Sequence, residues 1–193
     1  MIYMELQQIE DKLKTVLKPS RYRHTLGVAY TASCMAMVFD VDTERAYRAG
    51  LLHDCAKGFS IEKQRQLCER YNICLEGTLT KSPQLMHQEI APFLAKDDYE
   101  EEDKEILSAI GCHTTGKIAM SPLDQIVFIA DYIEPNRKII PGLIKIRKLA
   151  FEDLDACAYE ILNNTINYLT ECGQEIDQRT IKTYEYYKNK KEN

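Results

Sequence analysis

Apolar residues recur every three to four positions along most of this chain. In the first segment they fall at Ile2, Leu6, Ile9, Leu13, Val16 and Leu17, which predicts a helix over 2–17 with one buried face. Pro19-Ser20 opens a second helix that runs to about Phe39. Asp42-Thr43 caps a third, expected to reach Lys57 and stop at Gly58, and Ser60 caps a fourth reaching about Asn72. Ser82-Pro83 and Ser121-Pro122 each set an N-cap residue before a proline suited to the first helical position. The helices they start carry His87 and Asp131. Between them, Glu100–Cys112 reads as a helix with acids in its first turn. A long helix follows from about Glu152 to Gly173, and a basic one from Asp177 to Lys191. No run alternates apolar and polar residues convincingly. The expected fold is all-α, a helical bundle of about eight to ten helices.

Length narrows this further: 193 residues fit one domain, 1–193. A chain of this size buries roughly 70% of its unfolded surface and needs no disulfide or structural metal to fold. Lys and Arg number 25 against 30 Asp and Glu, a net charge of −5, which argues against nucleic acid as a partner. The longest apolar run, Cys34–Phe39, is far short of the ~20 residues that span a bilayer, so no membrane partner is expected. The charged N-terminus lacks a signal-peptide core. Seven cysteines without a C-x-x-C pair read as reduced thiols, which places the protein in the cytoplasm.

The chemistry is concentrated in a few residues. There are only four histidines, His24, His53, His87 and His113, and each lies on or at the end of a predicted helix. His53-Asp54 closes the apolar stretch 49–52, and Asp131 directly follows five apolar residues, 126–130. An unpaired buried carboxylate costs several kcal/mol or takes up a proton. A divalent cation removes that cost, and a mixed imidazole–carboxylate set suits iron, manganese, cobalt or zinc. Adjacent His53 and Asp54 would point ~100° apart on a helix, so they converge on one ion only through their different lengths, unless Asp54 bridges two. Each residue also has a plainer reading. A lone histidine near a helix end is usually a cap or a core residue, and Asp131 could pair with Arg137 or Lys138.

In order along the chain, Arg21-x-x-His24-Thr25-Leu26-Gly27-Val28-Ala29, Ala49-Gly50-Leu51-Leu52-His53-Asp54-x-Ala56-Lys57, His113-Thr114-Thr115-Gly116, Met120-Ser121-x-Leu123-Asp124 and Ala130-Asp131-Tyr132-Ile133-Glu134-Pro135-x-Arg137 resemble the YqeK family of HD-domain metal-dependent phosphohydrolases. The motif core spans 21–137, and the helices over 142–191 also fit. The resemblance implies symmetrical hydrolysis of diadenosine tetraphosphate to two ADP, an acid-anhydride hydrolase activity, with ADP or GDP as product-like ligands. It implies His24, His53, Asp54 and Asp131 as metal ligands. The metal is iron, or manganese or cobalt in its place, with one ion per chain expected. His87 and His113 would face the same cavity, either holding a second ion or, the reading preferred here, donating to phosphate oxygens.

Asp54, Lys57, His87 and His113 are thus the expected catalytic residues. Arg21, His24, Lys57, His87, His113, Thr114, Asp131 and Arg137 are the expected substrate contacts. Arg21 lies one helical turn before His24, Lys57 beside Asp54, and Arg137 offers a planar fork to phosphate. Plainer readings are a solvated Arg21, a Lys57 that serves the helix dipole, and an Arg137 paired with Glu134. Thr114 and Thr115 precede Gly116 in a turn that could aim hydroxyls and amides at an anion. Arg179, Thr180 or Tyr184 could touch a base or ribose, although a solvated basic tail is the plainer account.

Other functions use similar residues. Guanosine tetraphosphate hydrolases of this superfamily carry H-D-x-x-E-D, where Lys57 stands here in place of the acid. The HD-GYP signature is absent. A dNTP or nucleoside monophosphate hydrolase, a non-catalytic ADP or GDP sensor, and a di-iron oxygenase use related ligand sets. Oligomeric state, including a homodimer, is left open by the sequence.

Overall fold

The computed structural model of the chain describes residues 4–75 and 77–192, with Thr78 described by its backbone alone; Ile2, expected in the first helical stripe, lies outside them. Among the described residues the regular structure is helical and no strand occurs. The helices are α1 Leu6–Val16, α2 Pro19–Val38, α3 Thr43–Leu52, α4 Ile61–Arg70, α5 Thr78–Lys81, α6 Met86–Tyr99, α7 Lys104–Cys112, α8 Pro122–Ile133, α9 Leu143–Leu149, α10 Leu154–Glu171 and α11 Gln178–Glu192, with a 3₁₀ turn Pro83–Leu85 leading into α6. These eleven exceed the eight to ten expected, and two that the pattern did not mark are short: α5 has 4 residues and α9 has 7.

Local chemistry starts these helices where the caps stand. Ser60 accepts from the Lys63 amide, Asp153 from the Ala156 amide, and Ser121 forms a reciprocal capping box with Asp124. Several helix boundaries differ from the pattern-based expectation: α1 begins at Leu6, and Ser82-Pro83 opens only the 3₁₀ turn before α6, with no side-chain cap bond from Ser82. The third helix ends at Leu52 rather than Lys57, and residues 53–58 form turns closed by Cys55 N–Leu52 O and Lys57 N–Asp54 O hydrogen bonds. His53 itself keeps helical dihedrals (φ −53°, ψ −40°) and bonds to Ala49 O, so the tighter i→i+3 winding takes over after it. The helix expected from Glu100 begins at Lys104, because Asp103 takes the cap by accepting from the Glu105 and Ile106 amides. Glu100 instead ends α6 in a left-handed conformation (φ 56°), and Glu101 is buried against Arg48, whose Nε donates to it at 3.0 Å.

The long helix α2 runs through the middle. It packs on α3 and α8, α8 packs in turn on α7 and α10, and α6 closes against α4 and α7, while α11 covers α10. Contact between α2 and α3 is very close, since a Cβ on Gly50 would lie 2.6 Å from the Ala29 Cα. One apolar cluster connects Ile9 of α1, Val28 of α2, Ile90 of α6, Ile110 of α7, Ile129 of α8 and Tyr187 of α11. The functional side chains lie where α2, α3, α6, α7 and α8 meet.

Candidate metal centre

Three of the four histidines are tied down in the same way. His53 closes α3, His113 closes α7, and His87 stands at the start of α6. At each, ring Nδ1 meets the carbonyl three residues earlier: Gly50 O at 2.6 Å, Ile110 O at 2.7 Å and Gln84 O at 2.5 Å. Gly50 and Ile110 lie in the last turns of α3 and α7, where carbonyls lack a ladder partner, and Gln84 lies in the 3₁₀ turn before α6. A carbonyl only accepts, so Nδ1 carries the proton and, in the neutral ring, Nε2 presents a lone pair. His24, inside α2, meets a carboxylate instead: its Nδ1 lies 3.1 Å from Glu134 Oε1.

The four Nε2 atoms and two carboxylates converge in two groups. His24, His53 and Asp131 form one, and Asp54, His87 and His113 form the other, with the ligand atoms of each group within 4.8 Å of one another. Asp54 faces both. Its Oδ2 lies 3.9 Å from His24 Nε2 and 3.5 Å from His53 Nε2, while its Oδ1 lies 3.3 Å from His87 Nε2 and 3.7 Å from His113 Nε2. The candidate residues His24, His53, Asp54 and Asp131 are therefore together, and His87 and His113 share their cavity.

The donor set fits a cation. The buried Nε2 atoms of His24 and His53 have no hydrogen-bond partner. Asp131 Oδ1 lies 3.0 Å from His24 Nε2, yet with the proton on Nδ1 both atoms are acceptors. The Nε2 atoms of His87 and His113, two further acceptors, face each other at 3.1 Å. Lone pairs and carboxylates converging in a buried space are what a transition-metal ion neutralises.

Electrostatics point the same way. Burial disfavours the His53 imidazolium, but Asp54 and Asp131 outweigh it and lift the pKa above its ordinary value, so the field that draws a proton here also draws a metal. Burial, helped by Lys57, pushes His87 down to about 3, and burial with the nearby His53 pushes His113 down to about 4. Burial would raise Asp54, yet the charge of its neighbour His53 holds it well below the usual carboxylate range. Asp131 is held low against its own burial by His24 and Arg137. Neutral His87 and His113 have committed their only N–H to backbone carbonyls. In this tautomer both rings present Nε2 lone pairs toward Asp54 and toward each other, an arrangement that suits ligation, while donation to phosphate would need a proton on Nε2.

Three cations surround the centre. Arg21 donates to Asp54 Oδ2 at 2.9 Å, and Arg137 holds Asp131 through Nε to the backbone carbonyl and Nη2 to Oδ1, both 2.9 Å. Arg137 thus contacts Asp131, while Glu134 turns toward His24. Lys57 Nζ lies 3.2 Å from His87 Nε2, the nitrogen with the lone pair, and 3.1 Å from Nδ1, and burial pulls its pKa down.

The turn after His113 differs from expectation. The amides of Thr114 and Thr115 both donate to Gln88 Oε1, at 2.8 and 2.9 Å, so they are not free for an anion; the Thr114 hydroxyl lies 3.5 Å from His87 Nε2. In α11, Arg179 pairs with Glu89 and Asp177, Thr180 is buried, and Tyr184 stacks on Tyr159, so all three serve packing. Gln88 and Glu134 were not among the expected site residues. Gln88 had only its position after His87 as a signal, whereas Glu134 stood inside the motif over 130–137 without a site role assigned to it.

Residues 21–136 match the HD domain. The chain is 34% identical over 186 residues to a protein of Staphylococcus aureus (strain NCTC 8325 / PS 47) named bis(5'-nucleosyl)-tetraphosphatase, symmetrical, with 95% of both chains covered. A protein of the same name from Halalkalibacterium halodurans is 36% identical over 172 residues, covering 89% of this chain and 91% of its own. A crystal structure described as a predicted HD superfamily hydrolase involved in NAD metabolism, from Clostridium acetobutylicum, superposes with a TM-score of 0.93 at 36% identity, covering 98% of this chain and 100% of that one. Together with the H…HD…D residues gathered around one cavity, these matches show that the chain belongs to the HD-domain family, in the branch of the symmetrical bis(5'-nucleosyl)-tetraphosphatases.

Proposed function

We propose that this chain is a metal-dependent hydrolase that cleaves the central anhydride of dinucleoside tetraphosphates, converting diadenosine tetraphosphate and water into two ADP. The observation that carries this reading is the convergence of four Nε2 lone pairs and two ionised carboxylates on one buried centre, inside a family of that activity. His24, His53 and Asp131 would hold one ion and His87 and His113 a second, with Asp54 shared between them. This assigns two ions rather than the single one expected from the sequence. Iron is the proposed metal, with manganese or cobalt as substitutes, because the set mixes imidazole and carboxylate without thiolate. Bound there, such an ion supplies Lewis acidity that lowers the pKa of water to about 7.

The protein's own part is to bind and orient the polyphosphate. Arg21, Lys57 and Arg137 now contact Asp54, His87 and Asp131. When those ligands turn to a metal, the three cations become available to phosphate oxygens and neutralise charge as the anhydride breaks. The leaving ADP oxygen is weakly basic and needs no dedicated acid. One nucleoside is assigned to a cleft of about 560 Å³ lined by Tyr132, Ile140, Pro141, Asn164, Thr165 and Tyr168, a size ordinary for small-molecule sites. Of its lining residues, Tyr132 follows Asp131 in sequence, and Ile140 and Pro141 belong to the loop after α8 that also contains Arg137. No helix among the described residues is long and apolar enough to cross a membrane, and a cytoplasmic enzyme acting as a single domain over 1–193 is the accompanying proposal.

The test is product analysis. Metal-loaded protein given diadenosine tetraphosphate should yield ADP alone. ATP with AMP would mean asymmetric cleavage. Binding without turnover would mean a sensor, and preference for a dNTP or nucleoside monophosphate would mean another hydrolase; any of the three refutes the proposal.

A further inference from the structure

We infer that Glu134 is a positioning residue for His24, and that residue 27 is glycine because that carboxylate needs the space. This rests on the metal centre proposed above. His24 has a problem that the other three histidines lack. It is the sixth residue of the 20-residue α2, where backbone carbonyls are occupied by the helical ladder. His53, His87 and His113 reach carbonyls at helix ends, while His24 needs an acceptor from elsewhere.

Glu134 supplies it from just beyond the end of α8. Its side chain is buried, and it divides its two oxygens. Oε1 faces His24 Nδ1 at 3.1 Å, whereas Oε2 accepts from the Asn136 backbone amide at 2.6 Å and from the Asn136 side-chain amide at 3.0 Å. The two Asn136 donors fix which way the carboxylate turns, and the carboxylate fixes the His24 tautomer, with Nδ1–H outward and the Nε2 lone pair toward Asp131 and Asp54. Arg147 steadies the same corner by donating to the Ile133 and Glu134 carbonyls at 2.9 and 2.8 Å. Gly27 lies one turn after His24 on α2. A Cβ there would collide with Glu134 Oε2 and lie 3.2 Å from its Cδ, so alanine would displace the carboxylate.

Glu134→Gln probes this directly. The oxygen of a glutamine amide would turn to the two Asn136 donors, leaving its NH₂ to face His24 Nδ1. The ring then adopts the other tautomer, with its proton on Nε2, and loses its ligand atom. Gly27→Ala reaches the same end by steric displacement. Its other effect, higher helix propensity inside α2, is favourable.

The experiment titrates manganese(II) into the metal-stripped full-length protein by calorimetry and records nitrogen NMR of the histidine rings. One of the two ions should bind about 10–100-fold more weakly in each variant, as is typical when an outer partner of a histidine ligand is lost. The His24 signals should move from the Nδ1–H to the Nε2–H form in Glu134→Gln. A merely structural Glu134 would lower thermal stability and leave manganese affinity unchanged. Parental affinity in a folded Glu134→Gln protein overturns the inference. If the variants do not fold, the NMR of the unaltered chain decides: a proton on His24 Nε2 overturns it and one on Nδ1 upholds it. Failure of the unaltered chain to bind manganese(II) at all would refute the metal-centre reading instead.

Discussion

Gly50 of α3 meets Ala29 of α2 so closely that a Cβ at residue 50 would lie 2.6 Å from the Ala29 Cα and 3.0 Å from its amide nitrogen. The same glycine carbonyl accepts from His53 Nδ1. A close helix contact and the orientation of a proposed metal ligand therefore depend on one residue. Gly50→Ala must push backbone against backbone, and overpacking of this kind costs about 1–3 kcal/mol. The melting temperature should fall by roughly 2–4 °C for each kcal/mol in a chain of this size, and metal content should fall with it. An unchanged melting curve would show that the helices separate freely.

Asp54 and His113 should separate one ion from two. Asp54→Ala removes the carboxylate that faces both groups, so metal counting should show loss from both sites and loss of turnover. His113→Ala should lose one ion and keep the one held by His24, His53 and Asp131. Retention of both ions in His113→Ala, with poor catalysis, would return that histidine to the role of phosphate contact.

Arg137→Ala should keep its metals, because Asp131 retains its imidazole neighbours. Its charge-assisted contacts are worth about 1.5–3 kcal/mol, so kcat/KM for diadenosine tetraphosphate should drop about 10- to 100-fold. Unchanged kinetics would restrict Arg137 to clamping Asp131.

Tyr168 is an aromatic wall of the cleft assigned to a nucleoside. Stacking on an aromatic ring contributes about 1–3 kcal/mol per base. Tyr168→Ala should therefore raise KM about 5- to 100-fold with kcat nearly constant, read from initial rates. A change in kcat alone would place the nucleoside elsewhere.

Asp124 gives a pH prediction away from the metals. It is buried and accepts from Ser108 Oγ at 2.7 Å, the Ser121 amide at 2.7 Å and Lys117 at 2.8 Å. Burial would raise its pKa, but Lys117, Ser108 and the Ser121 amide hold it below the ordinary value. A depressed folded-state pKa means that the stabilisation is full above the unfolded value of about 3.9 and is lost as pH falls through the folded value. Asp124→Asn should therefore melt below the unaltered chain near neutrality, and the gap should shrink once pH drops below about 4. A gap that stays constant into acid would contradict this.

Local signals were legible because local forces set them. Asp42, Ser60 and Ser121 cap helices through bonds to amides three residues away, so the residue type announces the boundary. Long-range competition hid the other boundaries. Glu101 leaves the expected helix to pair with Arg48, which lies 53 positions earlier. In the site, the histidines and Asp54 and Asp131 stood out by residue type and resemblance, but Gln88 did not, and Glu134 lay in a matching motif without a legible role. Glutamine and glutamate are common on helices, and only their distant partners give them work.

Helical class, most helix starts and the roster of candidate ligands were thus determined by the amino-acid sequence itself, through periodicity, caps and the scarcity of histidine. Tertiary structure decided how those ligands divide into two groups around Asp54, that Gln88 takes the amides after His113, and that a carboxylate orients His24. Each of these depends on how α2, α3, α6, α7 and α8 cross. Spacing along one helix constrains neighbours within a turn or two, whereas the directions of side chains from different helices are set by packing between them.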